Sequence, residues 1–263
     1  RLIAQLLHED RLPLAYVPPE PVRQLRELVR LRHSIARALA AERRHLRWIS
    51  LKNNLPGPAT LTSDRAQKWI LAQDSKLSPV HQIACRRRLD HIISLERDVA
   101  DLDRIINENL GTQPELLARV QLIESIPGIG RLTAVTILTE TGDPTRFKSP
   151  DQIGCYAGLT PRVFQSGQTL RHGHISKRGP PVLRWVMQQA AWVAIRCDPN
   201  ARRIWTRIGK RAGSKKAATA LGRRLLCFAW SVCRKNKPFA WPNPLPVKPI
   251  SAPESIPLEM DAY

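Results

Sequence analysis

At 263 residues the chain has room for two modest domains around a buried core. Forty-two Lys and Arg against twenty-two Asp and Glu leave a formal charge of +20, which points to a polyanionic partner such as a nucleic acid. No run reaches the roughly eighteen apolar residues of a membrane span and no signal peptide is visible. The five cysteines (Cys85, Cys155, Cys197, Cys227, Cys233) are scattered and lack CxxC spacing, which excludes a zinc site or disulfide framework and suits reduced thiols in a cytoplasmic protein.

In chain order, residues 1–12 form one amphipathic helix with Leu2, Ile3, Leu6 and Leu7 on its apolar side, ended by Pro13 and the Pro18-Pro19 pair. From Glu20 to about Lys52, Leu25, Leu28, Ile35, Leu39, Leu46 and Ile49 recur at steps of three and four, with Arg32 and Glu42 in the missing seam positions. NNLPGP at 53–58 stops that run. A second periodic segment, from about Ser78 to Leu110, carries Leu95, Val99, Leu102 and Ile106 and ends at Gly111. Two long segments of common period predict a helical hairpin or coiled coil, or two ordinary core helices with the same spacing.

The third region begins near Pro114. LLARVQLIESI predicts a helix, PGIG a turn, and LTAVTILTETG a second helix. Ser149 before Pro150 caps a further helix start in SPDQIGCYAGL. TPRVFQSGQTLRHGHISK is polar and glycine-punctuated, a short β-hairpin or loop near 160–178. Helical spacing returns from Pro181 to Arg196 and from about Lys215 to Cys233. The proline-rich tail after Lys237 is expected to be extended or disordered. The fold class is therefore mainly α.

Two segments carry chemistry. IPGIGRLTA at 126–134 has the helix-hairpin-helix pattern. Gly128 and Gly130 permit positive φ and remove side chains that block a phosphate. The amides of Gly128, Ile129, Gly130 and Arg131 then lie at a helix N-terminus, where unpaired N–H groups favour an anion. An ordinary tight turn with a C-cap glycine shares this spacing. The second segment holds Ser166 and Gly167, followed by Arg171, His172, Gly173, His174, Ser176, Lys177 and Arg178, with Arg184 beyond. A serine attacking a phosphodiester needs positioning and cations to receive the charge built on the phosphoryl oxygens. The loop offers both, with Ser176 as a competing hydroxyl; a plain serine-glycine turn among backbone-binding cations fits the spacing equally. Between Arg162 and Arg224 stand fifteen Lys or Arg and one acid, Asp198.

The motifs IPGIGRLTAVTILTETGD, RFKSPDQIGCYAGLTP, the QSG loop and HGHISKRGPPVLRWVMQQAAW, in this order over about eighty residues, resemble the insertion-sequence transposases of the one-hundred-ten type, related to the Piv DNA invertases. The resemblance extends over most of residues 1–237. It implies an RNase H-like domain with four metal-binding acids, a coiled coil, and a domain with a nucleophilic serine, which the motif places at Ser166. It also implies DNA as partner, a guide RNA in some members, and Mg²⁺ in the full-length enzyme.

Arg1 falls immediately after the last pair of family acids, and Glu9 and Asp10 do not match them. The expectation is therefore a transposase fragment with no metal ligands of its own, inactive alone. Its parts are a remnant at 1–19, a coiled-coil region at 20–112 that self-associates, a serine-bearing domain at 113–237 and a tail at 238–263. The alternative is a non-catalytic helix-hairpin-helix module that binds DNA or RNA.

Overall fold

The computed structural model describes residues 2–11, 15–57, 62–166 and 169–242. Among these the protein is mainly α, with ten α-helices and one two-stranded antiparallel sheet. The first helix, α1 (Leu2–His8), is shorter than its sequence pattern, and Leu2, Ile3 and Leu7 are exposed.

Helix α2 (Glu20–Lys52) and helix α4 (Pro79–Gly111) form the long hairpin that the common period predicts. The Ser78 hydroxyl accepts from the His81 amide at the start of α4, so the serine before proline acts as a cap. The polar seam residues are paired across the hairpin. Arg32 donates two hydrogen bonds to Asp103 (2.9 and 3.0 Å), Arg88 donates to Glu42 (2.7 Å), and Arg43 to Glu96 (2.7 Å). Half-exposed pairs of this kind contribute about 0–1 kcal/mol each, so their main effect is to fix register.

Helix α3 (Ser63–Gln73), absent from the sequence reading, closes the far end of the hairpin. Its Ala66, Trp69 and Ile70 pack with Leu46, Ile49, Leu77, Cys85 and Ile92 in a small separate core. The Trp69 indole donates to the Pro56 carbonyl at 2.6 Å, so its polar edge is satisfied on burial.

The main core gathers α5 (Pro114–Glu124), α6 (Arg131–Thr141), α7 (Pro150–Tyr156), α8 (Pro181–Cys197), α9 (Pro199–Ala212) and α10 (Ser214–Lys235), together with Leu25, Val29, Ile106 and Leu110 from the near end of the hairpin. Helix α6 is at its centre, and every residue from Ala134 to Thr141 is buried. Three of its threonines return their hydroxyls to the carbonyl one turn back, at 2.7–2.9 Å (Thr136, Thr139, Thr141). The chain thereby keeps a polar helix dry without orphaned hydroxyls.

Helix α2 docks on α6 through a polar row one turn apart. Arg26 donates to the Thr139 carbonyl (2.7 Å), Arg30 makes two bonds to Glu140 (2.7 and 3.0 Å), and His33 Nε2 lies 3.1 Å from the Thr136 hydroxyl. His33 is buried, edge-on to Trp185 of α8, with Arg32, Asp103 and Glu140 the charges that bear on it. Burial, reinforced by Arg32, pushes its pKa down to about 4. Above pH 6.5 both folded and unfolded chains hold the ring neutral. As pH falls from 6.5 towards 4 the unfolded chain gains a proton that the folded one refuses, so stability falls, by up to about 3 kcal/mol. Urea midpoints at pH 7.5 and pH 4.5 are expected to differ more in the parent chain than in His33→Gln. Equal differences would exclude His33 as the source.

The tail is only partly as expected. Residues 238–242 are extended but packed: the Phe239 amide donates to the Ser125 hydroxyl (2.8 Å) and the Trp241 indole to Asp198 (3.1 Å). Both rings lie against Phe228, at 4.9 and 5.6 Å. Residues 243–263 lie outside the described residues.

Candidate nucleic-acid site

The turn between α5 and α6 brings Gly128, Ile129, Gly130 and Arg131 together, but not as four equivalent anion ligands. Gly128 has φ +84°, and a Cβ there would sit 2.6 Å from the Ala190 carbonyl oxygen and the Ala194 nitrogen of α8. Its lack of a side chain therefore serves the contact with α8 rather than access by a phosphate. The Gly128 amide faces the Cys197 thiol, and the Ile129 amide donates to the Ile126 carbonyl (3.1 Å). Ile129 itself is buried. Gly130 begins α6 without a side-chain cap, and nothing lies within 4 Å of where its Cβ would be. Among the described residues no backbone hydrogen bond is made by the Gly130 or Arg131 amides, so the unpaired donors of the turn are those at the α6 N-terminus. The Arg131 guanidinium is paired with Glu124 at 2.7 Å, which offsets its charge.

Gly128→Ala combines a left-handed φ with overlap against helix backbone. An expected loss of about 2–4 kcal/mol follows, measurable by urea denaturation. A change below about 0.5 kcal/mol would mean that the turn and α8 are not in contact.

The serine segment is a β-hairpin, β1 (Pro161–Ser166) and β2 (Thr169–Ile175). Cα pairs run Pro161↔Ile175, Val163↔His172, Phe164↔Arg171, Gln165↔Leu170 and Ser166↔Thr169, with an irregularity between Pro161 and Val163. Side chains alternate along a strand, so Arg162, Phe164 and Ser166 share one face, and Arg171 opposite Phe164 joins them. Every residue of β1 is exposed, Phe164 at 58%. Gly173 lies under the Phe164 ring: a Cβ there would be 2.8 Å from ring carbon Cε2. Gly167 and the His172 side chain lie outside the described residues.

The base of the hairpin is held firmly. The Ser176 amide donates to the Thr160 carbonyl (2.8 Å) and the Lys177 amide to the Gly158 carbonyl (3.1 Å), with Lys177 at φ +55°. Gly158, at φ +69°, lets the Arg178 backbone cross directly over it; a Cβ there would collide with the Arg178 carbonyl. Arg184 closes this crossing by donating to the carbonyls of Ala157, Arg178 and Gly179 (3.3, 3.2 and 2.9 Å). Burial lowers its pKa from the usual value. Arg184 therefore braces the hairpin, whereas Lys177 and Arg178 remain exposed at its root.

Sequence reading did not single out Arg162 and Phe164, which share a strand face with the serine; Arg162 donates to the Ser176 carbonyl at 3.3 Å, at the base of the hairpin. Sequence reading also missed α9, whose start is marked by Asp198-Pro199: the Asp198 carboxylate accepts from the Ala201 amide at 2.8 Å.

The described fold is thus a helical, strongly basic domain that projects a serine-bearing hairpin from a braced base. Residues 120–206 match the transposase IS116/IS110/IS902 family. The chain is similar to the transposase-named protein y4qE of Sinorhizobium fredii, 28% identical over 89% of this chain and 63% of that protein. It is also similar to the pilin gene-inverting protein of Moraxella bovis, 32% identical over 57% of this chain and 48% of that one. The transposase for insertion sequence element IS1111A of Coxiella burnetii is 29% identical over 45% of this chain and 34% of its own length. The chain thus spans from about half to just under two thirds of the first two relatives. No helix among the described residues is long and apolar enough to cross a membrane.

Proposed function

We propose that this chain supplies the strand-exchanging serine of a DNA transposase, with Ser166 as the nucleophile and the α6 N-terminus as a hold on DNA backbone. The observation that carries the reading is the position of Ser166. It is exposed on a hairpin within the family-matched region, on the face that also bears Arg162 and Arg171, above a base with Lys177 and Arg178.

The chemistry is a transesterification. Ser166 Oγ forms a bond to phosphorus as the bond from phosphorus to one deoxyribose oxygen breaks. The hydroxyl proton passes to solvent and the departing oxygen takes one up. One ester replaces another, so the break can be resealed. The arginines of the hairpin face are suited to receive charge developing on the phosphoryl oxygens.

The family resemblance implies Mg²⁺ held by acids. Among the described residues no group of three or more His, Cys, Asp or Glu could hold a metal ion. Asp151, Glu124 and Glu140 are each paired with an arginine. These residues do not fit that ion. A guide RNA and self-association through the α2–α4 hairpin belong to the same reading. Exposed Trp48, Leu51, Leu71, Val80 and Ile83 near the far end of the hairpin support the second.

The test is covalent capture. The chain is incubated with Mg²⁺ and the DNA that flanks its own coding region, alone and with a separately expressed RNase H-like domain of a family relative, then denatured, and any DNA-linked peptide is mapped by mass spectrometry. A phosphodiester link at Ser166 is the expected result when that domain is supplied, and none is expected from the chain alone; a link formed by the chain alone overturns the need for the acids. A link at another residue overturns the assignment.

A further inference from the structure

The segment from Pro199 to Lys235 holds no Asp or Glu, and α9 turns this bias into a surface. Ala201 and Ile204 are buried on its inner side, with Trp205 and Ile208 half-buried beside them. Thr206, Arg207, Lys210 and Arg211 are exposed on the outer side. Pro199, Arg202, Arg203, Thr206, Arg207 and Lys210 recur at steps of three and four and line one open groove of about 510 Å³. The helix is held stiffly. Arg202 donates to the Ile195 and Arg196 carbonyls at the end of α8 (3.1 and 3.0 Å), and the Trp205 indole to the Ser214 carbonyl (3.2 Å). Asp198, the nearest acid in sequence, is committed to the Ala201 amide and the Trp241 indole.

The lining identifies the occupant by what it contains and what it lacks. Cations and one hydroxyl are phosphate ligands. No aromatic ring lines the groove, as a single-strand platform requires, since Trp205 is turned inward against Trp192. No amide or carboxylate lines it to read base edges. From Arg203 to Lys210 the helix rises about 10 Å, the axial length of about three phosphates on one strand. We infer that the outer face of α9 grips the phosphate backbone of duplex DNA without reading its sequence, as a second contact apart from the serine hairpin. The choice of DNA rests on the function proposed above; the charge and lining of the groove do not.

The experiment measures binding of the whole chain to fluorescein-labelled 30-base-pair duplexes of two unrelated sequences between 50 and 200 mM salt. Arg207→Gln/Lys210→Gln is compared with the parent, with each single variant alongside and circular dichroism as the check on folding. Loss of two phosphate contacts is expected to lower the slope of log K against log salt by about 1.8, so the advantage of the parent shrinks about twelvefold across that range. Each single variant should remove about half of this, equally on both sequences. An unchanged slope, a loss confined to one sequence, or a loss seen only with a hairpin RNA overturns the inference while parent DNA binding stands. Failure of the parent to bind duplex DNA at all overturns the proposed function as well.

Discussion

With the RNase H-like domain supplied, Ser166→Ala is expected to abolish covalent capture of DNA, by at least about a thousandfold, while duplex binding changes by less than twofold. Removing the attacking atom leaves no substitute within the same side chain, which is why nucleophile deletions have effects of this size. Binding is spared because Ser166 is one uncharged, exposed residue among many cations. The control is Ser176→Ala. Ser176 is half-buried at the base of the hairpin, where its amide is tied to the Thr160 carbonyl, so its hydroxyl is not carried on the projecting strands. It should retain capture. Loss in Ser176→Ala with retention in Ser166→Ala would transfer the role. No capture by the parent under any condition, with binding intact, favours the non-catalytic binding module.

Arg30→Ala is expected to cost about 3 kcal/mol in urea denaturation. Glu140 is 1% exposed at the centre of the main core, and Arg30 is its ion-pair partner. Their hydrogen bonds also raise the pKa of Arg30, which therefore stays charged throughout the working range. Stranding a buried carboxylate typically costs about 3–5 kcal/mol, and the lower end applies because the Arg30 side chain is 44% exposed and its loss admits water. Arg30→Met/Glu140→Gln should recover most of the loss, since removing both charges also removes the need to solvate either. A double variant no more stable than Arg30→Ala would show that the pair does not act as a unit. The consequence is also architectural: this pair, with Arg26 and His33, fixes the long hairpin to the helix that begins at the PGIG turn.

The long helices were legible from periodicity alone. Glu20–Lys52 falls on the predicted boundaries because Pro18-Pro19 and Asn53-Asn54 stop the pattern at both ends. The segment near 160–178 was legible from its glycines and polarity as a short hairpin or loop, and the strand pairing of β1 and β2 decides for the hairpin. Helices α3 and α9 were not. In α3 only three residues, Ala66, Trp69 and Ile70, face a core supplied entirely by distant segments. In α9 the high charge concealed a narrow apolar face, although the Asp-Pro start and Gly213 stop were both present in the sequence. The PGIG turn was found correctly and its glycines partly misread. Spacing alone does not distinguish a glycine that admits a phosphate from one that admits a neighbouring helix.

The sequence by itself determined the mainly helical fold and the place of the serine in a short polar segment, because these depend on local pattern and charge, and its motifs carried the family resemblance. The tertiary structure alone decided which cations are available. Arg131, Arg184 and Arg202 are held by Glu124, loop carbonyls and the end of α8, whereas Arg171, Lys177, Arg207 and Lys210 are exposed. An arginine binds whichever acceptor the fold brings within about 3 Å, and those acceptors lie far along the chain or across a turn. Composition counts every positive charge equally, but only packing separates those that brace the protein from those left exposed to a partner.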